Sequence, residues 1–76
     1  MNYKLSFIIK DFAIDAYAMN FVNNVPTRFQ IFINHRLEGF MSYSDKWIVD
    51  KYSLGAGVLN EALAQEIGNY LMAYYS

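Results

Sequence analysis

The residue with the clearest potential for chemistry in this chain is His35, the only histidine among 76 residues. An imidazole titrates near about pH 6.5, so it can act as a general base or bind a metal ion. A transition-metal site needs several ligands, yet the chain has no second histidine and no cysteine. No nucleophile can be matched to His35 by spacing. We therefore expect His35 to be an exposed hairpin tip, with a pH-sensitive contact or a lone general base as the alternative.

Two further patterns invite a chemical interpretation. The glycines of "GAG", residues 55–57, precede a helical pattern, and free N–H groups at a helix N-terminus attract anions. The third glycine of a dinucleotide fingerprint and the Gly-Lys-Ser/Thr of a P-loop are missing, so we interpret residues 53–57 as a flexible strand-to-helix joint. Glu61 and Glu66 are separated by roughly 140° around a helix axis and do not converge. The sequence thus predicts no catalytic residue, no metal ligand and no cofactor, and it argues against an enzyme.

Composition indicates a small domain that needs a partner. Apolar residues make up 55% and aromatic residues 18% of the chain, which is near the lower size limit for a self-sufficient core. Without cysteine there are no disulfides, so self-association is the remaining means of stabilisation. We expect a homo-oligomer, most simply a homodimer, or a complex with another protein. The net charge of −1 gives no overall attraction to nucleic acid or anionic lipid.

The sequence also suggests where the protein works. The opening residues, MNYKLSFIIKDF, do not match a signal peptide, and no segment approaches the roughly 20 apolar residues of a membrane helix. We expect a single domain over residues 1–76, cytoplasmic and not associated with a membrane.

The N-terminal third predicts a hairpin. Residues 3–9 have the period of a half-buried strand, with Tyr3, Leu5, Phe7 and Ile9 on one side and Lys4, Ser6 and Ile8 on the other. Residues 12–22 would also suit a capped helix. A two-residue turn at Lys10 and Asp11, however, makes every facing pair on one side apolar, which favours a strand. Those pairs are Ile9 with Phe12, Phe7 with Ile14, Leu5 with Ala16 and Tyr3 with Ala18.

The middle of the chain predicts three more strands. Residues 20–28, with three asparagines and the only proline, are interpreted as the longest connection. A three-residue loop at 34–36 would place Ile33 against Leu37, Ile31 against Gly39 and Phe29 against Met41. A second three-residue loop at 44–46 places Tyr43 against Trp47 and Met41 against Val49.

The C-terminal segment predicts a helix. From about Gly57 onwards, apolar residues recur at spacings of three and four and form one stripe, with Gly68 among the residues opposite; the stripe consists of Leu59, Leu63, Ile67, Tyr70, Leu71 and Tyr74. This helix can bury its stripe against the apolar face of the sheet. The predicted fold is α+β, a two-layer sandwich in which a meander-like antiparallel sheet of about five strands carries one C-terminal helix.

The sheet face turned away from the helix is the candidate interaction surface. It is unusually apolar for a solvated face, and such patches mark binding surfaces unless residues 20–28 fold over them. Its apolar residues are Ile8, Tyr17, Met19, Phe32, Phe40 and Ile48. Single-stranded nucleic acid is a weaker interpretation, because Asp15, Glu38 and Asp50 are expected on the same face. The alternative to an interaction module is a ligand-binding protein or enzyme with a pocket between helix and sheet, lined by Tyr43, Trp47, Tyr70 and Tyr74.

Overall fold

The chain forms five consecutive strands followed by one helix. The computed structural model describes residues 3–75. The strands pair antiparallel in the order β1-β2-β3-β4-β5, so each contacts only its neighbours in the sequence. This confirms the predicted α+β meander with a C-terminal helix. The elements are β1 Lys4–Ile9, β2 Phe12–Val22, β3 Val25–Ile33, β4 Arg36–Tyr43, β5 Trp47–Lys51 and α1 Glu61–Tyr75.

The first hairpin has the predicted register. Phe7 pairs with Ile14, Leu5 with Ala16 and Ile9 with Phe12, so residues 12–22 are a strand and not a helix. The turn forms although it lacks asparagine and glycine, because Lys10 itself adopts a left-handed φ of 57°.

The prediction that residues 20–28 form the longest connection is wrong. β2 and β3 continue through this segment and are joined by a two-residue turn at Asn23 and Asn24. Both asparagines have positive φ angles, 52° and 65°, which is the backbone geometry of the tight turns that match strand twist. The sequence indicated a loop because asparagine and proline are both frequent in loops, whereas here the asparagines form the turn and Pro26 lies within β3.

The β3–β4 connection differs from prediction by one residue. Asn34 and His35, with φ angles of 51° and 67°, form a two-residue turn that pairs Ile33 with Arg36 and Phe32 with Leu37. The predicted pairing of Ile33 with Leu37 is therefore wrong. A bulge at Glu38 then restores the predicted pairs of Ile31 with Gly39 and Phe29 with Met41. The three-residue loop at 44–46 and its pairs, Tyr43 with Trp47 and Met41 with Val49, are confirmed.

Helix α1 lies on one face of the sheet, which we call the inner face. Asn60 caps its N-terminus, with the Asn60 side-chain oxygen accepting a hydrogen bond from the Leu63 N–H at 2.8 Å. The helix thus begins four residues later than Gly57. The buried core consists of Phe7, Ile14, Ala16, Phe29, Ile31, Ile33, Met41, Leu59, Leu63, Ala64, Ile67 and Leu71.

Gly68 was predicted to lie away from the core, and this is wrong. It is buried, and a Cβ built on it would overlap Nε1 of Trp47, so only glycine lets the indole approach the helix this closely. Tyr70 and Tyr74 of the predicted stripe are instead 43% and 55% exposed. Within residues 3–75, no helix is long and apolar enough to cross a membrane.

Candidate interaction surface

The face of the sheet opposite α1, which we call the outer face, is formed by directly paired residues on successive strands. The central row reads Lys4, Tyr17, Gln30, Phe40 and Asp50 from β1 to β5. Toward the Asn34–His35 turn, the next row contains Ser6, Asp15, Phe32 and Leu37. On the other side of the central row lie Met19, Arg28, Ser42 and Ile48.

All six residues predicted for the interaction surface lie on the outer face. Ile8 and Ile48 are 74% and 49% exposed near opposite edges. Tyr17 packs edge-on against Phe32 with ring centroids 5.4 Å apart. Met19, Phe32 and Phe40 are half-buried by their neighbours on the same face. The turn at Asn23 and Asn24 belongs to an ordinary hairpin, so the predicted cover of this face by residues 20–28 does not form.

Arg28 links the aromatic centre of the outer face to its β5 edge. Its guanidinium lies 4.8 Å from the centre of the Phe40 ring and donates a hydrogen bond to Ser42 Oγ at 2.6 Å. The same guanidinium forms an ion pair with Asp50 at 3.3 Å. The side chain therefore lies flat toward β4 and β5. At the other edge Lys4 Nζ lies 5.9 Å from the centre of the Tyr17 ring.

Three polar side chains meet at the β1–β2 side of the outer face. Ser6 Oγ donates a hydrogen bond of 2.5 Å to Asp15 Oδ1, and His35 Nδ1 lies 3.8 Å from Asp15 Oδ2. In a nucleophilic triad the imidazole accepts the serine proton, whereas here the serine hydroxyl contacts the carboxylate. The side chain of His35 is 86% exposed. The arrangement agrees with His35 as a hairpin tip and provides no activated nucleophile.

Glu38 does not lie on the outer face, contrary to prediction, because the bulge in β4 turns its side chain away. It is only 2% exposed, and its carboxylate accepts hydrogen bonds from the N–H groups of Ala56 and Gly57 at 2.8 and 3.1 Å. The joint between β5 and α1, predicted to be flexible, is held in place by these bonds. Leu37, predicted for the inner face, pairs with Phe32 on the outer face instead.

Because the bulge removes Glu38 from the outer face, that face carries one acidic residue fewer than predicted. Its central rows contain two cationic residues, Lys4 and Arg28, and two acidic residues, Asp15 and Asp50. Asp15 is largely covered, with a side chain 17% exposed, whereas Asp50 is 60% exposed at the β5 edge. The central row of the face thus has Lys4 at its β1 end, Asp50, bound to Arg28, at its β5 end, and aromatic rings between them.

A second feature is an apolar groove between the end of α1 and the sheet, which we call the helix–sheet groove. It has a volume of about 200 Å³ and is lined by Val25, Pro26, Phe29, Tyr43, Trp47, Leu71, Met72 and Tyr75. Burial raises the pKa of the Tyr75 hydroxyl, and the neighbouring Tyr74 raises it further.

The structure brings together two of the four residues predicted to line a pocket. Tyr43 and Trp47 are in edge contact at the helix–sheet groove, with ring centroids 5.1 Å apart. Tyr70 instead stacks on Phe7 at 3.9 Å, and Tyr74 packs against Tyr75 at the end of the helix. The prediction missed Val25 and Pro26 because it assigned them to a loop. A helical wheel would have placed Met72 and Tyr75 outside the apolar stripe.

Within residues 3–75, no three side chains of the His, Asp and Glu types come together as metal ligands. Comparisons of the chain with protein-family models, with curated proteins and with solved structures find no match. The interpretation of function therefore depends on the geometry of the outer face and of the helix–sheet groove.

Proposed function

We propose that this protein is a non-enzymatic interaction module that self-associates through its outer face. The observation that carries the proposal is the composition of that face, in which Tyr17, Phe32 and Phe40 form a half-exposed aromatic centre. Ile8 and Ile48 extend the apolar surface toward both edges. A contiguous apolar surface of this kind, bordered by polar residues, is typical of a protein–protein interface.

The size of the outer face suits a weak dimer. Five strands spaced about 4.8 Å apart and three rows of outward side chains give a face of roughly 500 Å². Two such faces in contact would bury about 1,000 Å² in total, near the lower limit for a specific interface. We therefore expect a dimer that dissociates at micromolar concentration and not a permanent one.

The charges of the outer face favour a protein partner over single-stranded nucleic acid. Arg28 is already bound to Asp50 and Ser42, so its guanidinium lies along the face and its side chain is only 29% exposed. Nucleic-acid surfaces combine aromatic residues with an excess of cationic residues that contact phosphates. Here two acidic residues balance Lys4 and Arg28. A second copy of the same neutral, aromatic face fits this balance better than a polyanion does.

Analytical ultracentrifugation over a range of concentrations tests the proposal. The wild-type protein is expected to change from 8.8 kDa to twice that mass as concentration rises. Phe32→Glu places a charge at the aromatic centre of the outer face and should keep the protein monomeric. Gln65→Glu, an exposed change on the far side of α1, is the matched control and should dimerise normally. A wild-type protein that stays monomeric at millimolar concentration would overturn the proposal.

The helix–sheet groove supports a second candidate function, the binding of a small apolar molecule. Its walls include the rings of Phe29, Tyr43, Trp47 and Tyr75, and its volume of about 200 Å³ would hold a ligand with a single ring system. Pockets for drug-sized ligands are larger, about 300–1,000 Å³, so a fragment-sized ligand is the appropriate class.

Indole serves as a probe for this second candidate. Binding should raise the melting temperature, because a ligand that binds only the native state stabilises it. In a fragment screen, non-fluorescent ligands should also change the emission of Trp47, the only tryptophan. Met72→Glu, which places a charge in the wall of the groove at a position that is 42% exposed, should abolish both effects without preventing folding or dimerisation. Unchanged melting temperature and emission across such fragments would exclude the groove as a ligand site.

A further inference from the structure

We infer that the partner of the outer face is a second copy of this chain, related by a two-fold axis that runs parallel to β3 between the two sheets. This inference rests on the proposed function, and it adds the arrangement of the two subunits. It follows from the order of side chains along the central row, which is Lys4, Tyr17, Gln30, Phe40 and Asp50.

A two-fold axis along the central strand reverses the order of the strands in the facing sheet. β1 of one subunit then lies over β5 of the other, and β2 lies over β4. Lys4 consequently faces Asp50 of the second copy, and Tyr17 faces Phe40. The side chain of Asp50 is 60% exposed, so it can interact with the second copy while it remains bound to Arg28. Opposite charges meet at both ends of the row, and aromatic rings meet between them.

An axis that runs across the strands gives the opposite result. It keeps the strand order, so β1 lies over β1 and β5 over β5. Lys4 would then face Lys4, and Asp50 would face Asp50. Like charges facing each other across an interface weaken association. The distribution of charge on the outer face thus favours the axis along β3 over the axis across the strands.

The residues of β3 lie on the proposed axis and face their own copies. Phe32 meets Phe32, which is favourable for aromatic packing, and Gln30 meets Gln30, whose amides can donate and accept hydrogen bonds mutually. Arg28 would be repelled by its copy if it extended straight outward. Its guanidinium instead leans over the Phe40 ring toward Ser42 and Asp50, away from the axis.

Charge reversal tests the arrangement. Lys4→Glu places a second carboxylate opposite Asp50, and Asp50→Lys places a second ammonium group opposite Lys4, so each single variant should dimerise about tenfold more weakly. The double variant Lys4→Glu/Asp50→Lys restores opposite charges within a homodimer and should recover most of the affinity. With the axis across the strands, Lys4→Glu only exchanges one pair of like charges for another, so no weakening is expected from it. Asp50→Lys also releases Arg28, and with that axis Lys4→Glu should not rescue it.

Crosslinking provides a second measurement that does not depend on charge. The native chain has no cysteine, so Gln30→Cys introduces a single thiol on the proposed axis. Facing sheets lie about 10 Å apart, too far for a disulfide, and a short bismaleimide is therefore the suitable reagent. Gln30→Cys should be crosslinked efficiently to itself. Tyr17→Cys should be crosslinked to Phe40→Cys in a mixture, and much less to itself.

The outcomes separate this inference from the proposed function. If the wild-type protein is monomeric, the proposed function fails and the arrangement fails with it. If it dimerises, and Phe32→Glu prevents this, but Lys4→Glu does not weaken the dimer, then only the axis along β3 is overturned. Efficient crosslinking of Tyr17→Cys to itself would also overturn it, because β2 would then lie over β2.

Discussion

At the scale of single residues, Glu38 shows how one inserted position changes the molecule. The bulge in β4 moves its carboxylate from the outer face to a buried site, where it binds the N–H groups of Ala56 and Gly57. Gly39 beside it has a φ of 154°, and a Cβ there would overlap the Asp50 carbonyl oxygen. Glu38 thus fixes the joint that leads to the helix, and Gly39 lets β5 approach β4 closely.

We predict that Glu38→Ala lowers the free energy of unfolding by about 2–4 kcal/mol. Two charge-assisted hydrogen bonds are lost, and two backbone N–H groups lose their partner. Glu38→Gln keeps the shape and one acceptor oxygen, so its loss should be smaller. Chemical denaturation measures both. The control is Glu66→Gln, which removes only an exposed ion pair with Lys10 and should cost no more than about 1 kcal/mol. Equal effects of Glu38→Ala and the control would contradict this role.

The buried position of Glu38 could not be predicted from the sequence, and the reason is physical. Alternation assigns a side chain to a face by counting, and an inserted residue shifts that count locally. The pairs beyond the bulge, Ile31 with Gly39 and Met41 with Val49, were predicted correctly, because the inserted residue compensates for a turn one residue shorter than predicted. The predicted pair between the turn and the bulge, Ile33 with Leu37, does not form. Only Leu37 and Glu38, at the irregularity itself, were assigned to the wrong face.

At the scale of elements, apolar pairing predicted most of the sheet. The register of β1 with β2 followed from the requirement that every inward pair be apolar, and it decided between strand and helix for residues 12–22. The β2–β3 hairpin was missed, because paired asparagines have two interpretations from sequence. In a long loop they are solvated, and in a tight turn they adopt positive φ angles, as Asn23 and Asn24 do.

The contact between α1 and β5 depends on Gly68, and we predict that Gly68→Ala destabilises the domain by about 1–3 kcal/mol. Alanine is normally the better helix former, but its Cβ would collide with the Trp47 indole. Asn69→Ala, at the neighbouring exposed position, is the matched control and should be neutral or slightly stabilising. Thermal unfolding measures both variants. Greater stability of Gly68→Ala would show that Trp47 has room to move.

At the scale of the whole molecule, the two layers explain why one face remains apolar. The helix covers the inner face alone, and the chain has no further described element to cover the outer one. The six apolar residues that the sequence placed on the outer face lie there, because their own strands alternate regularly at these positions, whereas Leu37 was missed. The sequence could not predict the charge balance of that face, which depends on the position of Glu38.

We predict that the melting temperature of the wild-type protein rises with protein concentration. A dimer in which only folded subunits associate is stabilised by mass action. For a domain of this size, a stabilisation of about 1 kcal/mol corresponds to a rise of roughly 4–8 °C in the melting temperature. The melting temperature should therefore rise by several degrees once the protein concentration exceeds the dissociation constant. Phe32→Glu should melt at one temperature at every concentration. A concentration-independent wild-type value would contradict coupling between folding and association.

The pairing of each strand with its sequence neighbour alone also affects how the chain reaches this structure. Every hairpin closes a short loop, so contacts of small sequence separation dominate the sheet, and such topologies cross the folding barrier quickly. The helix can dock only after β5 has formed, since Trp47 and the joint held by Glu38 receive it. The rate-limiting step should therefore be the assembly of β2, β3 and β4, and the helix should dock late. In refolding kinetics, truncation of Ile31 should slow folding more than truncation of Leu71 does.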